Sequence, residues 1–318
     1  MKKHLLIIGY LSALSTLSLA QTTTITLQPG PTDGKDAEVF GCVPCGYDVR
    51  NFGDKKDLDA IAWTNNGNVT NVRSLFQFDL SSIPAGATIV DARLSLYNYA
   101  ASQEGDHFTT IFHPNKSKLQ RITSPWDEHT VTWNTQPTVT KHNRLLLSET
   151  TSPNQDFTDI RCIKLVQDMI DHPATSFGFR LKIRIEHQFK KLIFASSDNP
   201  DASIRPKLVV TYSGPGPKII SPEVSDLRTE MSDESDPAFE IFPNPVKDVL
   251  TVSYESDENT SASLKIFGIA GNEIYSRSME LAAGDNDFQL KTNVWMKGIY
   301  FVTITTSKEV LTKKLIVE

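Results

Sequence analysis

From Thr22 to Tyr212 the apolar residues recur mostly with period two, in short runs separated by turn residues, and this alternation most narrows the folds open to the chain. Successive strand side chains point to opposite faces, so such runs fill half-buried strands. Residues 75–80, 89–99, 177–185, 191–195 and 206–212 each predict one strand. One stretch departs from the pattern. Over 159–171, Ile160, Ile163, Leu165, Val166, Met169 and Ile170 fall at spacings of three and four, which predicts a helix that Pro173 stops. One helix among many strands implies a sandwich or jelly roll.

The composition changes at Ser213-Gly214-Pro215-Gly216-Pro217. From there to Pro237 acidic residues are frequent and apolar ones few, so residues 214–237 read as a linker. A second alternating block follows over 238–318, with strands expected at 250–254, 263–267, 298–305 and 310–317; its length of about 80 residues suits a small immunoglobulin-like sandwich. The expected fold class is therefore all-β: a jelly-roll β-sandwich over 21–213 followed by a small immunoglobulin-like β-sandwich. Charge divides along the same boundary. Residues 21–213 carry 20 basic and 21 acidic side chains, whereas 214–318 carry 10 and 17. The formal net charge of −6 argues against nucleic acid as a partner.

Met1-Lys2-Lys3-His4, the apolar run from Leu5 to Leu19 and the small-x-small ending Ser18-Leu19-Ala20 read as a secretory signal peptide over residues 1–20. No later stretch is long and apolar enough to span a bilayer, so no membrane span is expected after signal cleavage. The mature chain is expected to fold where disulfides are permitted.

The second block resembles the sorting domain of the type IX secretion system of Bacteroidota. The residues that carry the likeness are Phe242-Pro243-Asn244-Pro245, the run "LKIFGIAGNEIY" with Gly268 and Gly271, "KGIYFVTI" and the closing "TKKLIVE". The resemblance implies export by that machinery, to the medium or the outer cell surface. The first block resembles a DNRLRE domain, also described as carbohydrate-binding module family 96, through "FQFDLSSIPAGATIVDARLSLYNY", "SPWDEHTVTWNTQP", the helix before "SFGFRLKI", and "FASSDNPDASIRPKLVVTY". That resemblance implies a jelly roll that binds a polysaccharide.

Within residues 179–185, Phe179, Leu181, Ile183 and Ile185 alternate with Arg180, Lys182 and Arg184, so the three cations share one strand face, roughly 6.5–7 Å apart. That spacing suits successive carboxylates of an acidic polysaccharide, and His187, Lys190 and Lys191 would extend the patch. Arg93, Tyr97 and Tyr99 share a face of another strand, where tyrosine rings can stack on sugars. Trp126 is a further candidate platform, Trp133 is expected in the core, and Trp63 follows "DLDAIA". Asp127 and Glu128 are sequence neighbours that point apart in a strand, unlike a glycosidase pair facing across a cleft. His113, His129 and His142 lack zinc-site spacing. The oxygen-rich loops Asp54/Asp57/Asp59 and Asp198/Asn199/Asp201 offer a possible structural calcium, although turn-forming roles suit both; no cofactor is required. Cys42 and Cys45 lack a redox-domain context and suggest a structural disulfide, closed locally or with one partner bridging to Cys162.

The expected function is non-catalytic binding of an acidic glycan by a secreted protein. The alternative is a structural or adhesive cell-surface protein that reads no sugar.

Overall fold

The computed structural model describes residues 22–110, 114–214, 239–256, 259–282 and 284–318. The expected signal peptide, His113 and nearly all of the expected linker lie outside the described residues.

The first block opens with β1 (Thr22–Leu27), β2 (Asp36–Gly41), β3 (Ala60–Asn65), β4 (Asn68–Phe76) and β5 (Thr88–Leu96). It continues through β6 (Ser117–Arg121), β7 (Leu145–Leu147), β8 (Phe157–Arg161) and the helix α1 (Ile163–Asp171), and ends with β9 (Phe179–Ile183), β10 (Lys190–Leu192) and β11 (Lys207–Ser213). One sheet has the order β1-β11-β5-β8; the other runs β10-β3-β4-β9-β6-β7, with β2 also paired to β4. Both sheets are antiparallel, and their facing sides share one core that includes Phe76, Ala92, Leu94, Leu96, Leu119, Phe179, Leu181, Ile183 and Val210. The expected alternation of Phe179, Leu181 and Ile183 toward the core is therefore present.

Helix α1 buries Leu165, Val166, Met169 and Ile170. Its buried Asp168 receives the Arg121 Nε–H at 2.7 Å, which ties the helix to β6. The helix is shorter than the apolar spacing predicts. Residues up to Arg161 form β8 and pair with β5, and Asp159 takes a left-handed φ of 54° that an α-helix excludes. Ile160 satisfies either period, and pairing with Leu94 decides for the strand.

The second block comprises β12 (Phe239–Phe242), β13 (Val249–Ser256), β14 (Thr260–Gly268), β15 (Glu273–Leu281), β16 (Gly284–Lys291), β17 (Gly298–Thr305) and β18 (Val310–Val317). Sheets β12-β13-β16 and β15-β14-β17-β18 enclose a core of their own, with Phe239, Leu250, Val252, Leu264, Ile266, Val302, Ile304 and Leu315. This is the expected immunoglobulin-like sandwich. Its Pro-rich entry is pinned by Asn244, whose side chain donates to the Lys314 carbonyl at 2.8 Å and accepts from the Ile316 amide at 2.9 Å. Gly271 turns the β14–β15 hairpin at φ 81°, where a side chain would be strained.

Candidate functional site

Strands β4, β6 and β9 turn a cationic side away from the core. Alternation puts Arg73, Lys118, Gln120, Arg180 and Lys182 on that side, and register sets Lys118 directly opposite Lys182 and Gln120 opposite Arg180. Like charges placed opposite each other repel unless anions lie between or beside them. One anion comes from the same block. Glu186, in the turn after β9, accepts both Arg73 Nε at 2.7 Å and Arg73 Nη2 at 2.6 Å, and pairs with Lys182 Nζ at 3.1 Å. Arg73 also lies 4.3 Å over the Trp133 ring and donates to Gln136 at 2.9 Å. Arg180 donates to Gln120 at 2.7 Å.

The other anions come from the second block. Glu255 on β13 lies 2.9 Å from Lys118 Nζ, 3.3 Å from Arg144 and 3.8 Å from Lys141. Glu240 on β12 lies 3.0 Å from Arg184. Phe242 sits beneath the Lys190 ammonium at 5.3 Å and edge-on to His187 at 5.7 Å. Burial pulls the Lys190 ammonium down to about 8, against the opposing pull of Glu240, Asp287 and Glu186. With this cover, Lys118 and Lys182 are 1% exposed, and all five residues of β6 are buried although the strand reads Ser-Lys-Leu-Gln-Arg.

The structure places the predicted site residues differently from the sequence reading. The cations Arg180, Lys182 and Arg184 share a face, but that face is engaged by carboxylates and an amide and is not an open solvated stripe. Arg93 and Tyr97 do not join them, and the Tyr99 amide donates to the Ile193 carbonyl just past β10 at 3.4 Å. Arg93 alternates with Ala92 and Leu94 on β5, so it faces outward from the opposite sheet of the sandwich, paired to Asp91 at 3.0 Å, and Tyr97 follows that strand beside Lys207. Trp126 is buried: its indole N–H donates to the Phe177 carbonyl at 2.8 Å, and Lys35 covers a ring face at 4.4 Å. Trp133, expected in the core, is half-buried against the same cluster.

Exposed rings occur elsewhere. Phe108 and Phe189 meet Trp63 edge-on, each at 5.2 Å, with Lys191 Nζ 5.5 Å from the indole. Sequence reading singled out Trp63 and Lys191 but missed Phe108 and Phe189, and it missed Arg73, Lys118, Lys141 and Arg144. For Lys118 a signal existed, since Leu119 is flanked by polar residues in a strand-length run.

The loop oxygens are also rearranged. Asn199 accepts from the Asp201 amide at 3.0 Å, and Asp201 accepts from the Ser203 amide at 2.9 Å, so both close local turns. Asp198 turns instead toward Asp36 and Glu128, and one carboxylate oxygen from each lies within 4.8 Å of the others. Burial raises the Asp36 carboxyl to about 7, with Asp198 and Glu128 adding to the rise and hydrogen bonds from Ser197 opposing it. In the other loop, Asp54 is exposed, while Lys55 bridges Glu38 at 2.9 Å, Asp57 at 3.7 Å and Glu104 at 3.5 Å. Burial pushes Asp59 well up, and Glu38 and Asp57 push it further. Asp127 accepts from the His129 amide at 3.2 Å and the Thr130 hydroxyl at 3.0 Å, and Glu128 accepts from the Asp36 amide at 2.8 Å. Cys42 and Cys45 are disulfide-bonded, and Cys162 is buried as a thiol that burial raises to about 12.

The fold is a sandwich of two antiparallel sheets joined to an immunoglobulin-like tail. The chain belongs to carbohydrate-binding module family 96, whose sequence profile matches residues 43–212. Residues 240–318 match the secretion system C-terminal sorting domain. The first match assigns carbohydrate binding. The second assigns export by type IX secretion to the cell surface or the extracellular space.

A search of curated proteins finds no match. Solved structures with similarity include latent dimeric PorU from Porphyromonas gingivalis, at 14% identity and TM-score 0.22 over 45% of this chain and 14% of that one. They also include the Parabacteroides merdae β-glucuronidase, at 10% identity and TM-score 0.20 over 77% and 27%, and a Bacteroides fragilis putative β-galactosidase, at 11% and 0.19 over 94% and 41%. The chain spans less than half of each of these proteins, and at such scores they carry no argument. Among the described residues, no helix is long and apolar enough to cross a membrane.

Proposed function

We propose that residues 43–212 bind an acidic polysaccharide, without catalysis, on the outer face of β4, β9 and β6. One observation carries this reading. Arg73, Lys118, Arg180 and Lys182 lie on one sheet face with Arg184, Lys141 and Arg144 at its margin, and Glu240 and Glu255, which meet four of these cations, come from the other block. Guanidinium and ammonium groups at strand spacing can engage successive carboxylates or sulfates of an extended polyanion, and Arg can do so bidentately. The non-catalytic part rests on the local duties of Asp127 and Glu128, which hold a turn and a backbone amide and do not face each other across a cleft.

Affinity electrophoresis tests the reading, in gels containing sodium alginate, pectin, a sulfated glycan or a neutral glucan. The chain should carry a protease site between residues 214 and 239 and be cut after folding. Acidic gels are expected to retard the cut protein, less so as salt rises, and the neutral glucan should not. The variant K141Q/R144Q/R184Q should lose most of the retardation. Equal retardation by neutral glucan, or full retention by that variant, would overturn the proposal.

A further inference from the structure

We infer that the C-terminal domain is a built-in competitor for the cationic face: Glu240 and Glu255 occupy the positions that two anionic groups of a glycan would take, so the intact chain is closed and detaching the domain opens it. The inference rests on the proposed polyanion-binding reading of that face and adds its regulation.

The geometry is that of recognition rather than casual contact. Glu255 meets three cations from two separate segments, Lys118 on β6 and Lys141 and Arg144 in the stretch before β7. Glu240 meets Arg184 just past the end of β9, and Phe242 lies under Lys190, so both ends of the face are held. A groove of about 440 Å³ runs along this junction, walled by Lys116, Arg184 and Lys190 on one side and by Glu240, Phe242 and Lys313 on the other. Lys118 is 1% exposed beneath this cover, and an ammonium taken out of water needs a carboxylate beside it. The tail block supplies that carboxylate, and its excess of 17 acidic over 10 basic residues with the linker is drawn to the same face over longer range.

A tethered competitor needs little intrinsic affinity. A domain on a short connection sits at an effective concentration of order millimolar, so weak docking keeps the face mostly closed. A ligand that binds only the open form then shows its affinity reduced by the open fraction, roughly tenfold at one part open in ten.

Three measurements on the chain with the cleavable site test this. First, without glycan, the separated halves titrated against each other by calorimetry at 50 mM NaCl should bind with a Kd of about 0.1 mM or tighter, and more weakly at 500 mM. No binding at millimolar concentrations and low salt would overturn the docking. Second, the cut and separated sandwich should bind sodium alginate about tenfold or more tighter than the intact chain. Third, intact E240Q/E255Q should move toward the cut protein's affinity, whereas the charge-matched E273Q/E280Q, on exposed positions of β15, should not. Equal alginate binding by intact and cut chains would overturn the competition and leave the binding proposal standing. If neither form binds alginate, pectin or the sulfated glycan, the binding proposal itself falls.

Discussion

Replacing Asp36 by asparagine should change how stability depends on pH, and the structure sets the size. Asp36 opens β2 and is 3% exposed, with one oxygen accepting the Ser197 amide at 2.9 Å. Its carboxyl is raised from 3.8 to about 7 by burial, and the neighbouring Asp198 and Glu128 add to this. A raised carboxyl is a folded state that holds its proton longer than the unfolded chain does. Between about pH 4 and 7 unfolding therefore releases a proton, and stability falls as pH rises through that window. At 1.36 kcal/mol per pKa unit the full loss is about 4 kcal/mol, of which about 2.5 kcal/mol falls between pH 5 and pH 8. The side-chain amide of D36N would keep the acceptor for Ser197 and turn an N–H₂ toward the remaining carboxylates, with no titration of its own. Urea unfolding followed by tryptophan fluorescence at pH 5 and pH 8 should thus show D36N gaining on the parent by about 2.5 kcal/mol, or roughly 5–10 °C in a parallel melt. Glu38, also raised by burial, titrates in both proteins and cancels in the difference. Curves that stay parallel across the two pH values would refute the reasoning. Repeating the series with 1 mM calcium tests whether a cation binds where Asp36, Glu128 and Asp198 each offer an oxygen, a set other than the Asp198/Asn199/Asp201 loop that the sequence suggests. A bound cation favours the ionised cluster, so the parent's loss at pH 8 should shrink and D198N should show no such recovery. An unchanged parent would remove the ion from the account.

Two further experiments probe the outer face and the buried tryptophan. In a double-mutant cycle on Arg73 and Glu186, each single change to Gln should destabilise by about 3–5 kcal/mol, because a largely buried partner charge is left behind, and the double variant should recover much of it; single effects that simply add would refute the coupling. W126F removes an N–H donor and leaves the Phe177 carbonyl without it, so urea unfolding should show a loss of about 1–3 kcal/mol, while alginate retardation of the cut protein should not change. A loss of glycan binding with folding intact would restore Trp126 as a sugar contact.

Where one face of a strand was buried against its own core, the sequence declared it. Buried Val302 and Ile304 alternate with the less buried Phe301, Thr303 and Thr305 in β17, and β17 and β18 span the same residues, 298–305 and 310–317, that alternation alone predicts. Phe179, Leu181 and Ile183 likewise point inward. The pattern fails where both faces are covered. Strand β2 reads Asp-Ala-Glu-Val-Phe-Gly, and five of its six residues are buried, because Asp36 and Glu38 find Ser197 and Lys55 far along the chain. Strand β6 reads as amphipathic around Leu119, yet Lys118 and Gln120 are as buried as the leucine.

The candidate site was legible to the same extent and for the same reason. Alternation can say that Arg180 and Lys182 share a face; it cannot say what lies upon that face, nor that Arg93 belongs to the other sheet, because strand order is set by long-range pairing that leaves no local mark. The charge totals held a clue to the missing cover. A sandwich near neutrality that gathers cations on one face must carry its anions elsewhere on its surface, and a strongly acidic partner in the same chain is then a standing counterion. That partner binds through carboxylates, the groups an acidic polysaccharide would also present, so one cationic surface accounts for both the closed arrangement of the chain and the ligand class proposed for the open one.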